Sequence, residues 1–445
     1  MIAPLLVAAA LAAAPTPLLD APRAQDLAVA GNEVIVSRSG PSGRLRVDAL
    51  AVDGSGTRPL LVTPRLGRRW SSYGTVFASP QRVAVIASWR KQVDDRPDRV
   101  RVRLYTGPRV GPLRPATNRQ RKWIPVTAAV DGDRLLVEEA GIASIVESRL
   151  RLYEPGAAPR VLPWGGDDLL SLAFAGEHVA FGLLDPDFRV VVADLETGRR
   201  QVSMKIFDPF EVDVAEDGTV LAESETGLVT AAPGRPRRRA RGSRFLSEGR
   251  FAGASIAAIE FDEAGAERPA VLDPGTARPR PVGISTRDLR VLDADPAGVG
   301  WIANGCVLYA PLGAGAPAAS PAGPCPRVEL GFFEYNHTLR GRRLRVEVDC
   351  VAAPARGCHG TVTLRIAGIA RRGRFHVRSG KRGSASVRLT RRAAQIVRGR
   401  VRRDGFAALR MDWRAPDARA SRDPRRFVVN RTIRDRRSTS DSRSG

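Results

Sequence analysis

The sequence lacks the short motifs that mark the common enzyme families. It contains no GxSxG, HExxH, CxxC, P-loop or GxGxxG pattern. Its four histidines are spread over different parts of the chain, so neither a His-based triad nor a metal cluster is expected. We therefore predict no cofactor, no metal ion and no catalytic residue, and the sequence favours a role other than enzymatic catalysis.

Long hydrophobic runs are also missing, because no stretch reaches the 18 or more apolar residues of a membrane span. The apolar run at the N-terminus ends by Ala14 and small residues follow it, which is typical of a secretory signal. A cut after Ala14 would leave Pro15 at the new N-terminus, so cleavage near Ala24 fits better. We predict residues 1–24 as the signal peptide of a secreted, extracellular or cell-surface protein. A buried N-terminal helix or strand is the alternative.

Cysteine is scarce, with four residues that all lie in the last third of the chain. An even number of cysteines in an exported protein predicts disulfide bonds. The simplest pairing joins Cys306 to Cys325 and Cys350 to Cys358, one of three connectivities that four cysteines allow.

Lysine is rare too, since only four of the 71 basic residues are Lys, and the basic residues are unevenly placed. Residues 340–445 hold 30 Lys+Arg against 8 Asp+Glu, whereas residues 1–339 hold 41 against 39. Dense arginine can bind nucleic acid by releasing counterions from phosphate. Export and the lack of an aromatic stacking platform argue against that partner. An anionic cell-envelope polymer or lipid head groups fit better than nucleic acid, but a solvated sheet face with no such partner is the interpretation that the sequence favours.

What the sequence does contain is a repeat of short apolar runs separated by turn residues, clearest at residues 172–198. Aligned on the turn between the first two runs, the units begin to turn at Gly31, Pro80, Gly132, Gly176, Asp217, Gly253 and Pro296. The spacings of 36 to 52 residues are those of four-stranded propeller blades. A second landmark, a later hairpin ending in a Gly-containing turn, recurs in the same order. We predict an all-β fold with a seven-bladed β-propeller over residues 25–335, six or eight blades being the alternatives.

The pattern changes near residue 339, where alternating strands continue without the 40-residue period. Six or seven strands in residues 339–434 predict a small β-sandwich. Residues 390–397 could form a helical turn or two between strands. The polar residues 435–445 are predicted to be a disordered tail.

Two stretches resemble known families. VDVAEDGTVL (212–221) and VVVADLETG (190–198) are similar to the WD-like (WD40-like) and TolB-like propellers of exported bacterial proteins. The segment LRVEVDCVAAPARGCHGTVTLRI (344–366) resembles the arginine-rich Ig-like module of secreted actinobacterial proteins. The resemblance implies a propeller followed by an Ig-like β-sandwich, and it carries no catalytic residue, because propellers serve binding, hydrolysis and lyase chemistry alike.

Aromatic residues near the connectors between units suggest a binding face. The connectors gather at one rim of a propeller, where a pocket for a glycan or peptide could form; the alternative is that the rings wedge between blades. These residues are Trp70, Tyr73, Trp123, Trp164, Phe207, Phe210 and Phe245.

The sequence therefore predicts a non-catalytic binding or scaffold protein with a glycan, peptide or protein ligand at the propeller rim or channel mouth. The speculative ligand-binding set is Trp70, Tyr73, Trp123, Trp164, Asp167, Asp168, Asp208 and Phe210. One alternative is a glycan hydrolase or lyase that pairs Asp167 or Asp168 with Asp208. Another is a structural envelope component tethered by its basic C-terminal module.

Overall fold

The computed structural model divides the chain into two units, Met1–Cys325 and Pro326–Gly445. The structure describes residues 15–21, 23–91, 99–116, 123–141, 148–164, 169–183, 188–206, 211–225, 227–240, 246–261, 267–274, 276, 278–283, 289–303, 305–312, 329–332, 338–352, 358–378, 381–404, 406–414 and 425–430.

The first unit contains seven four-stranded sheets in its described part, and we number them along the chain. After strand β1 (Thr16–Asp20), sheet 1 comprises β2 (Ala24–Ala30), β3 (Glu33–Ser39), β4 (Leu45–Ala51) and β5 (Thr57–Val62). Sheet 2 comprises β6 (Trp70–Ala78), β7 (Arg82–Lys91), β8 (Arg99–Pro108) and β9 (Arg114–Pro115). Sheet 3 comprises β10 (Trp123–Asp131), β11 (Arg134–Gly141), β12 (Ser148–Tyr153) and β13 (Arg160–Val161).

The remaining sheets follow the same plan. Sheet 4 comprises β14 (Leu169–Ala175), β15 (His178–Leu183), β16 (Arg189–Asp194) and β17 (Arg200–Lys205). Sheet 5 comprises β18 (Val212–Val214), β19 (Val220–Ser224), β20 (Gly227–Ala231) and β21 (Arg238–Arg239). Sheet 6 comprises β22 (Leu246–Ala252), β23 (Ser255–Phe261), β24 (Glu267–Leu272) and β25 (Arg280–Pro281). Sheet 7 comprises β26 (Leu289–Asp295), β27 (Gly298–Ala303), β28 (Cys306–Pro311) and, as its outermost strand, β1.

In several sheets, a glycine fixes the register of the hairpin formed by the first and second strands. Gly31, Gly132, Gly176 and Gly253 each begin a two-residue loop between the first and second strand of their sheet, with φ between +56° and +65°. A type II′ hairpin turn needs a positive φ at this position, which glycine adopts without a steric penalty. The turn positions that reveal the repeat in the sequence are thus the positions that fix strand pairing.

The seven sheets form a β-propeller. The first strand of each sheet contacts the first strand of the next, and β26 contacts β2, so these strands make a ring. One hydrophobic cluster lies between each pair of consecutive sheets, including one between sheets 7 and 1. Such burial between neighbours is what a twisted sheet needs, since it cannot bury both faces alone. The predicted all-β fold is confirmed.

Pairing of β1 with β28 joins the two ends of the ring. Thr16 lies opposite Tyr309, and Asp20 lies opposite Cys306. Strand β1 falls inside the stretch 1–24 predicted as signal peptide. Cys306 is disulfide-bonded, and its predicted partner Cys325 lies outside the described residues.

The second unit contains two further four-stranded sheets and a helix. One sheet comprises β29 (Glu329–Phe332), β30 (Thr338–Arg340), β31 (Arg343–Ala352) and β34 (Lys381–Arg388); the other comprises β32 (Cys358–Ile366), β33 (Ile369–Val377), β35 (Phe406–Arg414) and β36 (Arg425–Asn430). The predicted disulfide Cys350–Cys358 is present, with its Cα atoms 5.6 Å apart.

The predicted helical turn is a longer helix, α1 (Arg391–Asp404). Thr390 caps it, because its hydroxyl accepts the backbone N–H of Ala393 at 3.1 Å. Ala393, Ala394 and Val397 face the same core as the two sheets, while the arginines on either side of this stretch, Arg391, Arg392, Arg398 and Arg400, stay exposed. Across the described residues, no helix has the length and apolar character needed to cross a membrane.

Candidate functional site

The first strands of all seven sheets line a central channel with a cavity of about 650 Å³. Because these strands run side by side around the ring, residues far apart in sequence meet there. A concave space of this size is where ligands bind in many folds. We call the residues that line it the channel lining.

The channel lining is rich in carboxylic acids. It contains seven acidic residues but only two basic ones, Arg250 and Arg290. The formal charge of the whole protein is +24, so the channel differs in sign from the chain as a whole. The seven acidic residues are Asp26, Asp131, Glu211, Asp213, Glu248, Asp293 and Asp295.

Five of these carboxylates join one sheet to the next by accepting a backbone N–H. In each case the acceptor lies on or at the end of a first strand, and the donor belongs to the following sheet around the ring. Such a bond satisfies a buried donor, and a charged acceptor makes it stronger than a neutral one. The five bonds run to Asp26 from Val76 (2.7 Å), to Asp131 from Gly176 (3.0 Å), to Asp213 from Phe251 (2.6 Å), to Asp293 from Val29 (2.7 Å) and to Asp295 from Gly31 (2.5 Å).

Burial shifts the acid strength of several channel groups. It raises the pKa of Asp26 and the pKa of Asp293 to about 7, although the N–H groups of Val76 and Val29 act in the opposite direction. Burial also raises the pKa of Asp213. Asp26 and Asp293 therefore exchange protons near neutral pH, where an ordinary Asp is fully ionised.

Arg250 of β22 is the channel arginine that contacts the carboxylates of sheets 5 and 7. Its Nη2 donates to Glu211 Oε2 at 2.5 Å, and its Nε lies 3.9 Å from Asp293 Oδ1. Burial lowers the pKa of Arg250. The negative charges of three nearby carboxylates raise it by more, so the pKa is raised overall; they belong to Glu211, Asp213 and Asp293. One guanidinium thus offsets the carboxylates of sheets 5 and 7.

Glu248 is held differently from the other carboxylates. It lies in a β-bulge of β22 and has φ +50°, a backbone conformation that costs energy in a residue with a side chain. Burial and the nearby carboxylate of Glu211 raise its pKa to about 7. Among the described residues, no arginine lies within ion-pair distance of Glu248 or of Asp26. Neither carboxyl is held in an ion pair by the described part of the protein.

The four predicted aromatic residues that the structure describes, Trp70, Tyr73, Trp123 and Trp164, do not line the channel, and Phe207 and Phe245 lie outside the described residues. Trp70 lies 4.9 Å below the guanidinium of Arg101, and Trp123 lies 4.2 Å from that of Arg149. Tyr73 is 48% exposed, and burial of the rest of its ring together with Asp26 raises its pKa.

Trp164 lies between sheets 3 and 4. Its Nε1 donates to the carbonyl of Leu195 at 3.1 Å, and its ring centroid lies 6.3 Å from that of Phe181. This is the position of a ring that wedges between two blades. Asp167, Asp168, Asp208 and Phe210 lie outside the described residues.

Sequence reasoning missed the channel carboxylates. The sequence pattern that marks the channel aspartates is an Asp within or at the end of the first strand of a sheet. Examples are VDG (130–132), VDV (212–214) and LDAD (292–295). Acidic residues beside a turn are common on any surface, so the pattern carries meaning only after the ring is known.

No family model matches the chain, and no curated protein matches it. The chain is similar to solved structures at low identity. These include puromycin hydrolase (15% identity over 75% of this chain and 60% of that one, TM-score 0.45) and a puromycin-hydrolyzing peptidase of Mycobacterium tuberculosis (16%, 77% and 62%, TM-score 0.46). The WD40 β-propeller domain of Doa1 is 9% identical over 67% of this chain and 95% of that one, with a TM-score of 0.44. The chain spans about three fifths of the length of the two hydrolases. These neighbours contain β-propellers, and the likeness extends to the fold alone.

Proposed function

We propose that this protein is an extracellular, non-catalytic binding protein whose propeller takes a cationic segment of a peptide or protein into its central channel. The observation that carries the proposal is the cavity of about 650 Å³, lined by seven carboxylic acids and two arginines. The disulfide Cys350–Cys358 supports an extracellular location, because such bonds persist in oxidising compartments.

Glu248 and Asp26, which form no ion pair in the described structure, set the chemistry of binding. A Lys or Arg side chain that reached Glu248 and Asp26 would favour their ionised forms and lower their pKa values. Because both pKa values start near 7, binding would release protons at neutral pH. Affinity should then rise with pH across the range in which Glu248 and Asp26 ionise.

The test compares labelled hexapeptides that carry one or two Arg residues with the same peptides in which citrulline, an uncharged isostere, replaces Arg. Fluorescence anisotropy measures their binding to the wild type and to Glu248→Gln. We expect the wild type to prefer the Arg peptides, and Glu248→Gln to weaken their binding about tenfold. The matched control is Glu216→Gln, which removes an exposed carboxylate from a turn of sheet 5. Equal binding of Arg and citrulline peptides would refute the proposal.

The two alternatives give different results in the same experiment. A propeller hydrolase or lyase would convert glycans in an array, and mass spectrometry would detect the products. A structural component tethered by the basic C-terminal unit would bind anionic polymer instead of cationic peptide, and high salt would abolish that binding.

A further inference from the structure

A second cavity, of about 380 Å³, lies at the side of sheet 1 and shares no lining residue with the channel. Four arginines line it: one lies on β3, one on β4, one directly before β2 and one directly before β4. We call it the arginine pocket; its basic residues are Arg23, Arg38, Arg44 and Arg46.

The floor of the arginine pocket is a cross-strand pair of like charges. Arg38 on β3 lies directly opposite Arg46 on β4. Like charges in this position repel and destabilise a sheet. The fully buried carboxylate of Asp48 holds both, since it accepts from Arg38 and from Arg46 Nε at 2.7 Å. The pair is thus fixed in place, but a single carboxylate compensates only one of its two charges.

The other two arginines have no such partner. Within the described ranges, no carboxylate forms an ion pair with Arg23 or Arg44. The Nε groups of Arg38 and Arg44 are buried and donate no hydrogen bond. Four guanidinium groups therefore face one carboxylate, and part of their hydrogen-bonding capacity is unused by the protein.

The wall of the arginine pocket is rigid where Arg44 begins. Gly43 has φ +71°, and a Cβ there would lie 2.7 Å from the Cβ of Trp70. Trp89 Nε1 donates to the Gly43 carbonyl at 2.9 Å and anchors the turn. A site whose groups are already held in position loses less entropy when a ligand binds.

We propose that the arginine pocket binds a small organic oxyanion, a sugar-sized group that carries a carboxylate, a sulfate or a phosphate. Guanidinium groups match these anions because their N–H donors form pairs of parallel hydrogen bonds to two oxygens. Pro41 and Val62 give the pocket an apolar wall, against which the carbon skeleton of the ligand packs. This site is independent of the channel and takes a ligand of the opposite charge.

The probes are glucuronate, glucose 6-sulfate, glucose 6-phosphate and uncharged glucose. Isothermal titration calorimetry at constant ionic strength measures their binding to the full chain. We expect at least one charged sugar to bind and glucose not to bind. The order of the three anions shows which oxyanion the pocket prefers. Failure of all three charged sugars to bind at millimolar concentration would overturn the proposal.

A double variant, Arg23→Gln with Arg44→Gln, removes the two unpaired charges and keeps the pair that holds Asp48. It should weaken binding at least tenfold. The control, Arg199→Gln with Arg200→Gln, removes the same charge from exposed positions of sheet 4 and should change affinity less than twofold. Equal losses in both variants would show general attraction to a basic protein and overturn the proposal.

Amide hydrogen exchange shows where the anion binds, and so distinguishes the arginine pocket from the basic C-terminal unit. The bound sugar should slow hydrogen–deuterium exchange in peptides that cover residues 38–46. Binding with unchanged exchange there would place the anion elsewhere and also refute the site.

Discussion

Replacement of Asp26 by Asn should remove one of the three contributions that Asp26, Asp293 and Glu248 make to the pH dependence of propeller stability. The Asp26 side chain is 8% exposed and accepts the Val76 N–H at 2.7 Å. Asn keeps a carbonyl oxygen for this bond, so the main change is the loss of a titrating group.

The direction in which stability changes with pH follows from the pKa of Asp26 in the unfolded and in the folded state. Burial raises the pKa of Asp26 from 3.8 to about 7, so the folded state holds the proton more tightly than the unfolded state. The free energy of unfolding therefore falls as pH rises from about 4 to about 7, and Asp26 contributes no slope outside this window.

The size of the effect follows from the same shift. Roughly three pKa units correspond to about 4 kcal/mol over the whole window, and about 2.5 kcal/mol of this is lost between pH 5 and pH 8. Urea unfolding at pH 5, 6, 7 and 8 measures it, with tryptophan fluorescence as the signal, because five of the six Trp residues lie in the propeller unit. The wild type should lose about 2.5 kcal/mol more than Asp26→Asn over this range.

The control is Asp53→Asn. Asp53 is an exposed turn residue whose pKa is lowered by hydrogen bonds from Ser55, so it stays ionised from pH 5 to pH 8. This variant should keep the wild-type pH profile. Parallel profiles for the wild type and Asp26→Asn would refute the assigned pKa and the burial argument behind it.

Two further predictions concern the packing of each unit. Gly298→Ala places a Cβ 2.2 Å from the hydroxyl of buried Tyr309. This variant should destabilise the propeller by about 1–3 kcal/mol in the same urea titration. The control, Gly56→Ala, has open space around the new Cβ and should change stability by less than about 0.5 kcal/mol. Replacing Cys350 and Cys358 by Ser removes a bond that closes an eight-residue separation, which should cost the C-terminal unit about 2.5 kcal/mol. Calorimetry should show its transition at lower temperature and the propeller transition unmoved; a shift of both would contradict independent units.

The sequence predicts the propeller because its hairpin turns have local causes. Glycines such as Gly31 and Gly176 occupy positions of positive φ that recur once per sheet, and the apolar runs on either side are long enough to detect. The outer strands β13 and β21 have only two residues each, too few for any periodicity to show. Strand β1 is hidden for another reason, since its residues directly follow the apolar run at the N-terminus.

The channel could not be predicted in the same way. The carboxylate of Asp293 accepts from Val29, a residue 264 positions away, and only closure of the ring brings them together. The pKa of Glu248 depends on its burial in the ring and on the carboxylate of Glu211, neither of which has a local signal in the sequence. Local pattern therefore specifies the sheets, whereas ring geometry specifies the site.

The position of β1 limits where a signal peptidase could cut without damage. A cut near Ala24 would remove Thr16–Asp20 and leave β28 as a bare edge with unpaired backbone groups, an invitation to pairing with other chains. A cut after Ala14 would spare the whole strand. Strand β1 therefore shields the outer edge of sheet 7, and it is the one strand in the described part of the propeller that pairs with a strand far from it in sequence.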